Sequence, residues 1–497
     1  MRAAKVLESG VIAPCMPWPR TVLDAAAWLR LREALASDPS LDLLALWGEP
    51  GFVHAAFLDI AAPRLWLAST AVEGGRVPAL SPVRPGAALF ERALHDLWGI
   101  TAEGAVDARP WLDHGRWPVR APLSPRPLSH SPAADPMEFL PAEGAGVHQI
   151  PVGPIHAGII EPGHFRFHVQ GETIVRLEAR LGWTHKGTLS LLQGKSPRVA
   201  ARFAARLSGD STVAHSLAFA RAAEAASGAE APPRATALRA VMLELERLHN
   251  HLNDMGFIAN DAAFAPLHAE AGLLREALLR AQHQAFGHRL MMDRVVPGGV
   301  AMDLSPEGQA AIEAALAGAA AGLPRLLRMY EGHASLQDRV LATGLLPPAL
   351  VAAFAPGGVV GRAAGRAFDA RMLTGEMADC PTQPGADVDA RWRQRHAEAL
   401  AAIARVRTLL AGLPPGPLTV SLGHGEAREG VALVEGFRGE CLAWLALDEG
   451  GLIRAAFLRD PSWLHWPLLE AAVIGNIVAD FPLINKSFNA SYSGVDL

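Results

Sequence analysis

Seven prolines fall between positions 118 and 141, at Pro118, Pro122, Pro125, Pro127, Pro132, Pro136 and Pro141, with serines among them. Each fixes its own φ and removes an amide donor, so neither a helix nor an inner strand can run through such a stretch. The spacing predicts an extended, polyproline-like connection over 118–147. The chain must then fold as two units, 1–117 and 148–497. With 497 residues, half of them hydrophobic, both units have material for a core.

In the first unit, Val22, Ala25, Ala26 and Leu29 recur at helical spacing and predict a helix over 21–35. The runs 41–47, 52–60 and 65–67 read as buried strands, and 90–100 reads as a helix stopped by Gly99. The second unit opens with short strands over 150–160, 165–169 and 173–177, the last two joined by a turn at Gln170-Gly171-Glu172. Helical periodicity then dominates, over 234–255, 269–286, 305–323 and 390–410. The expected fold class is α+β: a small N-terminal α/β domain followed by a mainly helical domain with a small β region.

Composition narrows the function. A formal charge of −5, from 45 basic and 50 acidic residues, gives no electrostatic footprint for nucleic acid. The three cysteines, Cys15, Cys380 and Cys441, form no Cys-x-x-Cys pair and suit a reducing compartment. They cannot supply four thiolates, so no four-cysteine centre is expected on this chain alone. Residues 1–8 lack the apolar core of a signal peptide. The apolar run 310–323 is too short and too broken by glycine to span a bilayer. Gly298-Gly299 and Gly357-Gly358 do not form a dinucleotide fingerprint, so any NAD binding would belong to a larger assembly.

Several segments occur together in one order: Gly153-Pro154-Ile155-His156, Glu161-Pro162-Gly163-His164-Phe165, His185-Lys186-Gly187, the run from Glu244 to Leu252, Glu435-Gly436-Phe437-Arg438-Gly439-Glu440, and Asp480-Phe481-Pro482-Leu483-Ile484. From Gly153 onward the chain resembles the large subunit of energy-converting [NiFe] hydrogenases of the formate hydrogenlyase type, and their cousin in respiratory complex I, its hydrogenase-like peripheral subunit. The helix at 90–100 with Asp113-His114-Gly115-Arg116-Trp117-Pro118 resembles the end of a smaller peripheral subunit of complex I, fused ahead of the large one in formate hydrogenlyase-like proteins.

The resemblance implies a site and shows it altered. Such hydrogenases bind nickel and iron through Arg-x-Cys-Gly-x-Cys and a late Asp-Pro-Cys-x-x-Cys. Here Ser208 and Ser211 stand at the first pair, Ser491 and Gly494 at the second, and Asn489-Ala490 in place of Asp-Pro. A hydroxyl is hard and stays protonated near neutral pH, so it cannot bridge these metals as a thiolate does. Arg206 and Arg438 resemble arginines lining that cavity, with Phe437 where the family often has proline. Glu161 resembles a carboxylate at the cavity wall, suited either to proton relay or to a structural ion pair. His156 matches the histidine that holds a quinone in complex I, whereas the matching tyrosine position is Gly209.

Within the helix over 234–255, His249 and His251 are two apart and cannot chelate one ion. Glu244 and Arg247 read as a helix-face pair, and the cluster as the polar surface of a bundle helix. Together these features predict the large peripheral subunit of a membrane-associated hydrogenase-related complex without its own [NiFe] centre. No cofactor is expected on this chain, an iron-sulfur cluster is expected in a partner, and quinone stays a candidate. The implied partners are an iron-sulfur small subunit, a ferredoxin-like subunit and antiporter-like membrane subunits. The implied location is cytoplasmic, on the inner face of the plasma membrane. A quinone- or NADH-linked oxidoreductase subunit and a non-catalytic scaffold remain as alternatives.

Overall fold

The computed structural model describes residues 2–129, 138–157, 160–423 and 428–497. Part of the proline-rich stretch, 130–137, and two residues of the expected 150–160 segment lie outside the described residues. The first unit contains α1 (Ala3–Glu8), β1 (Val11–Ala13), β2 (Arg20–Leu23), α2 (Ala25–Ser37), β3 (Leu41–Glu49), β4 (Phe52–Asp59), β5 (Arg64–Ala71) and α3 (Ala87–Trp98). Its sheet runs β1-β2-β5-β4-β3, with β2 and β5 parallel and the other pairs antiparallel. The helix expected over 21–35 begins later. Thr21 to Leu23 pair with β5, and Asp24 caps α2 by accepting the Ala27 amide at 2.7 Å. Gly99 ends α3 in the left-handed region.

In the second unit, β6 (Val147–Val152), β7 (His164–Gln170) and β8 (Thr173–Arg180) form an antiparallel sheet. Among the longer helices that follow are α4 (Pro197–Ala204), α5 (Thr212–Ser227), α6 (Pro233–Asp261), α7 (Ala265–Phe286) and α8 (Pro306–Glu331), with α9 (Val388–Ala411) further on. Helix α6 lies at the centre, packed by α7 on one side and α9 on another. Helix α8 extends past the expected 323 and packs on α7 and α9. The added turns make it long and apolar enough to cross a bilayer by length and composition, where the run 310–323 alone is too short.

A second antiparallel sheet, unforeseen from sequence, consists of β9 (Glu429–Gly436), β10 (Gly439–Leu447) and β11 (Ile453–Arg459). Its strands are buried on both faces, so they show no alternation of polar and apolar residues. Helix α5 lies across β9 and β10 at close range, because a Cβ on Gly430 would stand 2.0 Å from the Ala222 carbonyl oxygen. Helices α10 (Ser462–Ala472), α11 (Phe481–Phe488) and α12 (Ser493–Asp496) close the described fold.

The first unit is seated on this second sheet. Trp47 of β3 stacks on Phe457 of β11 with centroids 5.2 Å apart, and Phe90 stacks on Trp463 at 4.7 Å. Arg20 makes a two-pronged contact to Glu429 at 2.9 and 3.0 Å, and Met16 bridges in parallel to Gly430.

Candidate functional site

The two serine motifs are both turns between helices, and they meet. The first links α4 to α5; the second links α11 to α12. Ser208 Oγ and Ser491 Oγ are 2.8 Å apart, and both side chains are buried. The direction of each proton follows from its neighbours. Ser208 Oγ lies 3.0 Å from an Asp210 carboxylate oxygen, which can only accept, so Ser208 donates there and Ser491 donates to Ser208. The Gly494 amide completes the relay by donating to Ser491 Oγ at 2.9 Å. Both hydroxyl protons of the relay are used.

Arg438 locks the relay from the far side. It occupies the two-residue turn between β9 and β10, where Gly436 faces Gly439. Its guanidinium donates to both Asp210 oxygens at 2.7 and 2.6 Å, to Ser211 Oγ at 2.8 Å, and to the Asn489 carbonyl. The guanidinium carbon also lies 4.4 Å from the centre of the buried Phe437 ring. Burial opposes the charge on Asp210, yet Arg438 and Ser208 hold its carboxyl below the usual range. One arginine thus ties both serine motifs together.

Asp460, just beyond β11, fills the remaining place. A Cβ added to Gly494 would fall 2.7 Å from Asp460 Cγ, so the carboxylate occupies the space of a side chain at 494. Its Oδ1 accepts the Ser462 amide and its Oδ2 contacts His215 Nε2 at 2.9 Å. Burial works against its charge, but His215 holds the carboxyl far below the ordinary range. A nickel-iron centre in this position takes four thiolates. The four positions carry three hydroxyls and one hydrogen, two hydroxyls bond each other directly, and Asp460 presses on Gly494. This donor set does not fit that group.

The other sequence candidates have definite places. Glu161 accepts the Tyr492 and Ser493 amides at 3.2 and 3.0 Å and so caps α12. His156 Nε2 donates to the Gly163 carbonyl at 2.7 Å within its own loop. Arg206 turns away from the serines and makes a half-exposed, two-pronged contact to Asp293 at 2.7 and 2.8 Å. Gly209, at the quinone-tyrosine position, is exposed.

Behind the serines lies a charged core that contradicts the expectation of a polar bundle surface. Glu244, Glu246, Arg247, His249 and His251 are all buried, at 0–2% exposure. The Glu244–Arg247 contact exists at 3.4 Å, but both groups belong to a wider network. Glu398 of α9 receives Arg247, Arg362 and His251, while Arg362 also reaches Glu435. Glu244 pairs with Arg371. Asp254 takes Arg395, Lys486 and the Asn489 side chain, which links the network to the second serine motif. The partners of Glu244, Arg247 and His251 on other elements come from more than a hundred residues away, which is why helix spacing alone misassigned this face. One available signal was that the charges on α6 fall on no single side, as they would on a solvated helix.

Glu246 gives this core a pH dependence. Burial pushes its carboxyl up to about 8 from an ordinary 4.5, although it accepts the Val213 and Ala214 amides. The folded state then favours the protonated form. Its contribution to stability is full below about pH 4.5 and is lost as pH rises through about 8. Glu246→Gln should remove a slope of up to about 1.4 kcal/mol per pH unit within that window. Denaturation of wild type and variant across the window measures it; parallel curves would show that Glu246 stays ionised when folded.

The fold is of the hydrogenase and complex I subunit kind, with regions similar to two separate subunits in one polypeptide. Residues 19–128 match the family described as respiratory-chain NADH dehydrogenase, 30 Kd subunit. Residues 186–255 match nickel-dependent hydrogenase, and 271–424 match respiratory-chain NADH dehydrogenase, 49 Kd subunit. The chain thus combines segments similar to the 30 Kd and 49 Kd subunits with a nickel-dependent hydrogenase-like segment between them.

Among its relatives is formate hydrogenlyase subunit 5 of Escherichia coli (strain K12), 28% identical over 438 residues, covering 84% of this chain and 76% of the relative. Hydrogenase-4 component G of the same organism is 27% identical over 463 residues, covering 89% and 80%. A chain of the membrane-bound sulfane sulfur reductase, an archaeal respiratory membrane complex, shares the fold with a TM-score of 0.65 at 21% identity, covering 71% of this chain and 99% of that one. The homologues belong to multisubunit membrane complexes, and a peripheral, membrane-associated subunit agrees with them.

Proposed function

We propose that this chain is the large peripheral subunit of a hydrogenase-related redox complex on the cytoplasmic face of the plasma membrane, and that it carries no nickel-iron centre. Its part is structural and coupling: it docks an iron-sulfur small subunit, a ferredoxin-like subunit and antiporter-like membrane subunits. The observation that carries this reading is the direct Ser208–Ser491 hydrogen bond, clamped by Arg438 where the metal ligands of relatives would converge. The charged core behind it joins this clamp to α6 and α9, a rigid path for motion between docked partners. Quinone chemistry has less support. A head group would find His156 Nε2 already engaged and no phenol at position 209.

The test is hydrogen–deuterium exchange and hydrogen-dependent dye reduction by the complex purified with this chain as its sole large subunit. Neither activity should exceed that of a preparation lacking the chain. Exchange that requires the chain, accompanied by stoichiometric nickel and iron on it, would overturn the proposal.

A further inference from the structure

Beside the closed cradle, three side chains converge that the coupling role does not use. His215 comes from the first turn of α5, Cys441 from the inner strand β10, and Asp460 from the end of β11. His215 Nε2 stands 2.9 Å from Asp460 Oδ2 and 4.0 Å from Cys441 Sγ, and all three donor atoms lie within 4.8 Å of one another. Each residue is at most 1% exposed. From these residues we infer a mononuclear site for a divalent transition ion of the zinc class, one position inward from the lost nickel ligands.

The chemistry of the set supports a cation. Imidazole, thiolate and carboxylate are the usual zinc donors, with bonds of about 2.0–2.3 Å, so ligand atoms around one tetrahedral ion stand about 3.3–3.7 Å apart. The observed separations bracket that range and require shifts of about an ångström or less. Charge also balances. One neutral imidazole, one thiolate and one carboxylate around a divalent ion sum to zero, which a buried position tolerates, and one water as fourth ligand leaves that sum unchanged. Without a cation, burial first and then Asp460 and Glu246 push the Cys441 thiol up, so the metal-free form is a protonated, inert thiol.

Loading releases the thiol proton to solvent, and the proton on His215 Nε2 leaves that nitrogen, to Nδ1 from a neutral ring or to solvent from a charged one, so that the Nε2 lone pair faces the ion. Asp460 loses its hydrogen bond and gains a metal bond. Arg438 favours the charged carboxylate and Arg459 the thiolate, while Glu246 opposes the thiolate only once it ionises at higher pH. None of the three ligands occupies a ligand position of the [NiFe] motifs, so the site is distinct from that cradle.

The test is a Co²⁺ titration of the full chain after chelator treatment. One equivalent should produce a near-ultraviolet thiolate-to-cobalt charge-transfer band with the visible bands of a four-coordinate ion, and one equivalent of Zn²⁺ should displace it. Cys441→Ser should abolish the charge-transfer band, while Cys15→Ser and Cys380→Ser should retain it. Asp460→Asn, which preserves shape, should weaken cobalt affinity by at least about tenfold, and it reads the same site if Cys441→Ser fails to fold. A wild-type chain that gives no thiolate-to-cobalt band overturns the inference, as does a band that survives undiminished in Cys441→Ser. Hydrogen exchange by the complex reads the coupling proposal separately. Cobalt or zinc bound here without exchange would support both, and exchange with no Cys441-dependent band would overturn both.

Discussion

Arg362→Met is expected to lower the stability of this chain by about 3–5 kcal/mol, because it strands two carboxylates in the core. Arg362 is 2% exposed; it donates to Glu398 at 2.7 and 3.0 Å and to Glu435 at 2.7 Å. Methionine fills much of the space but leaves Glu398 with fewer cations and Glu435 with only the Ala370 amide. Chemical denaturation of the purified chain measures the loss. Arg206→Ala provides the contrast: its partner Asp293 is a third exposed, so the change should stay within about 1 kcal/mol. If both variants lose the same small amount, the buried network does not hold the bundle together.

Gly494→Cys, the single change that most directly reverses the altered cradle, is expected to destabilise the chain by about 1–3 kcal/mol instead of restoring a ligand. The new Cβ would lie 2.7 Å from Asp460 Cγ and 2.9 Å from its Oδ2. Asp460→Ala made in the same chain should recover part of that loss, with a coupling of about 0.5–3 kcal/mol in a double-mutant cycle. Additive losses would mean that the carboxylate is not what fills the place of the missing side chain. The same geometry implies that four cysteines reinstated together would still meet an aspartate where the fourth side chain should sit.

What could be read from the chain was whatever its local pattern writes plainly. The runs 41–47 and 52–60 are apolar strands between turn signals, α3 ends at a glycine in the left-handed region, and α6 carries apolar residues at steps of three and four. The sheet β9–β11 escaped because its strands are covered on both faces, and a short continuous apolar run does not reveal its own secondary structure. The Phe437-Arg438 pair drew notice as part of a motif, yet its geometry is that of a hairpin tip aimed at both serine turns. Asp460, His215 and Cys441 gave no sequence signal, since they stand on three elements spread over 245 positions and meet only through packing. The charges on α6 misled for the same reason: a helix shows its own spacing but not the arginines that α9 and the segment before it bring to bear.

The joint between the two units determines how the fusion should be regarded. Trp47 lies flat on Phe457, Met16 hydrogen-bonds across to strand β9, and a buried arginine grips Glu429. An apolar centre with a paired polar border is the construction of permanent subunit contacts. Covalent linkage then adds mainly local concentration, on the order of millimolar for short connections, to an attraction that already exists. Joining the halves in one polypeptide guarantees equal supply of both, and the junction it secures is a weld rather than a pivot.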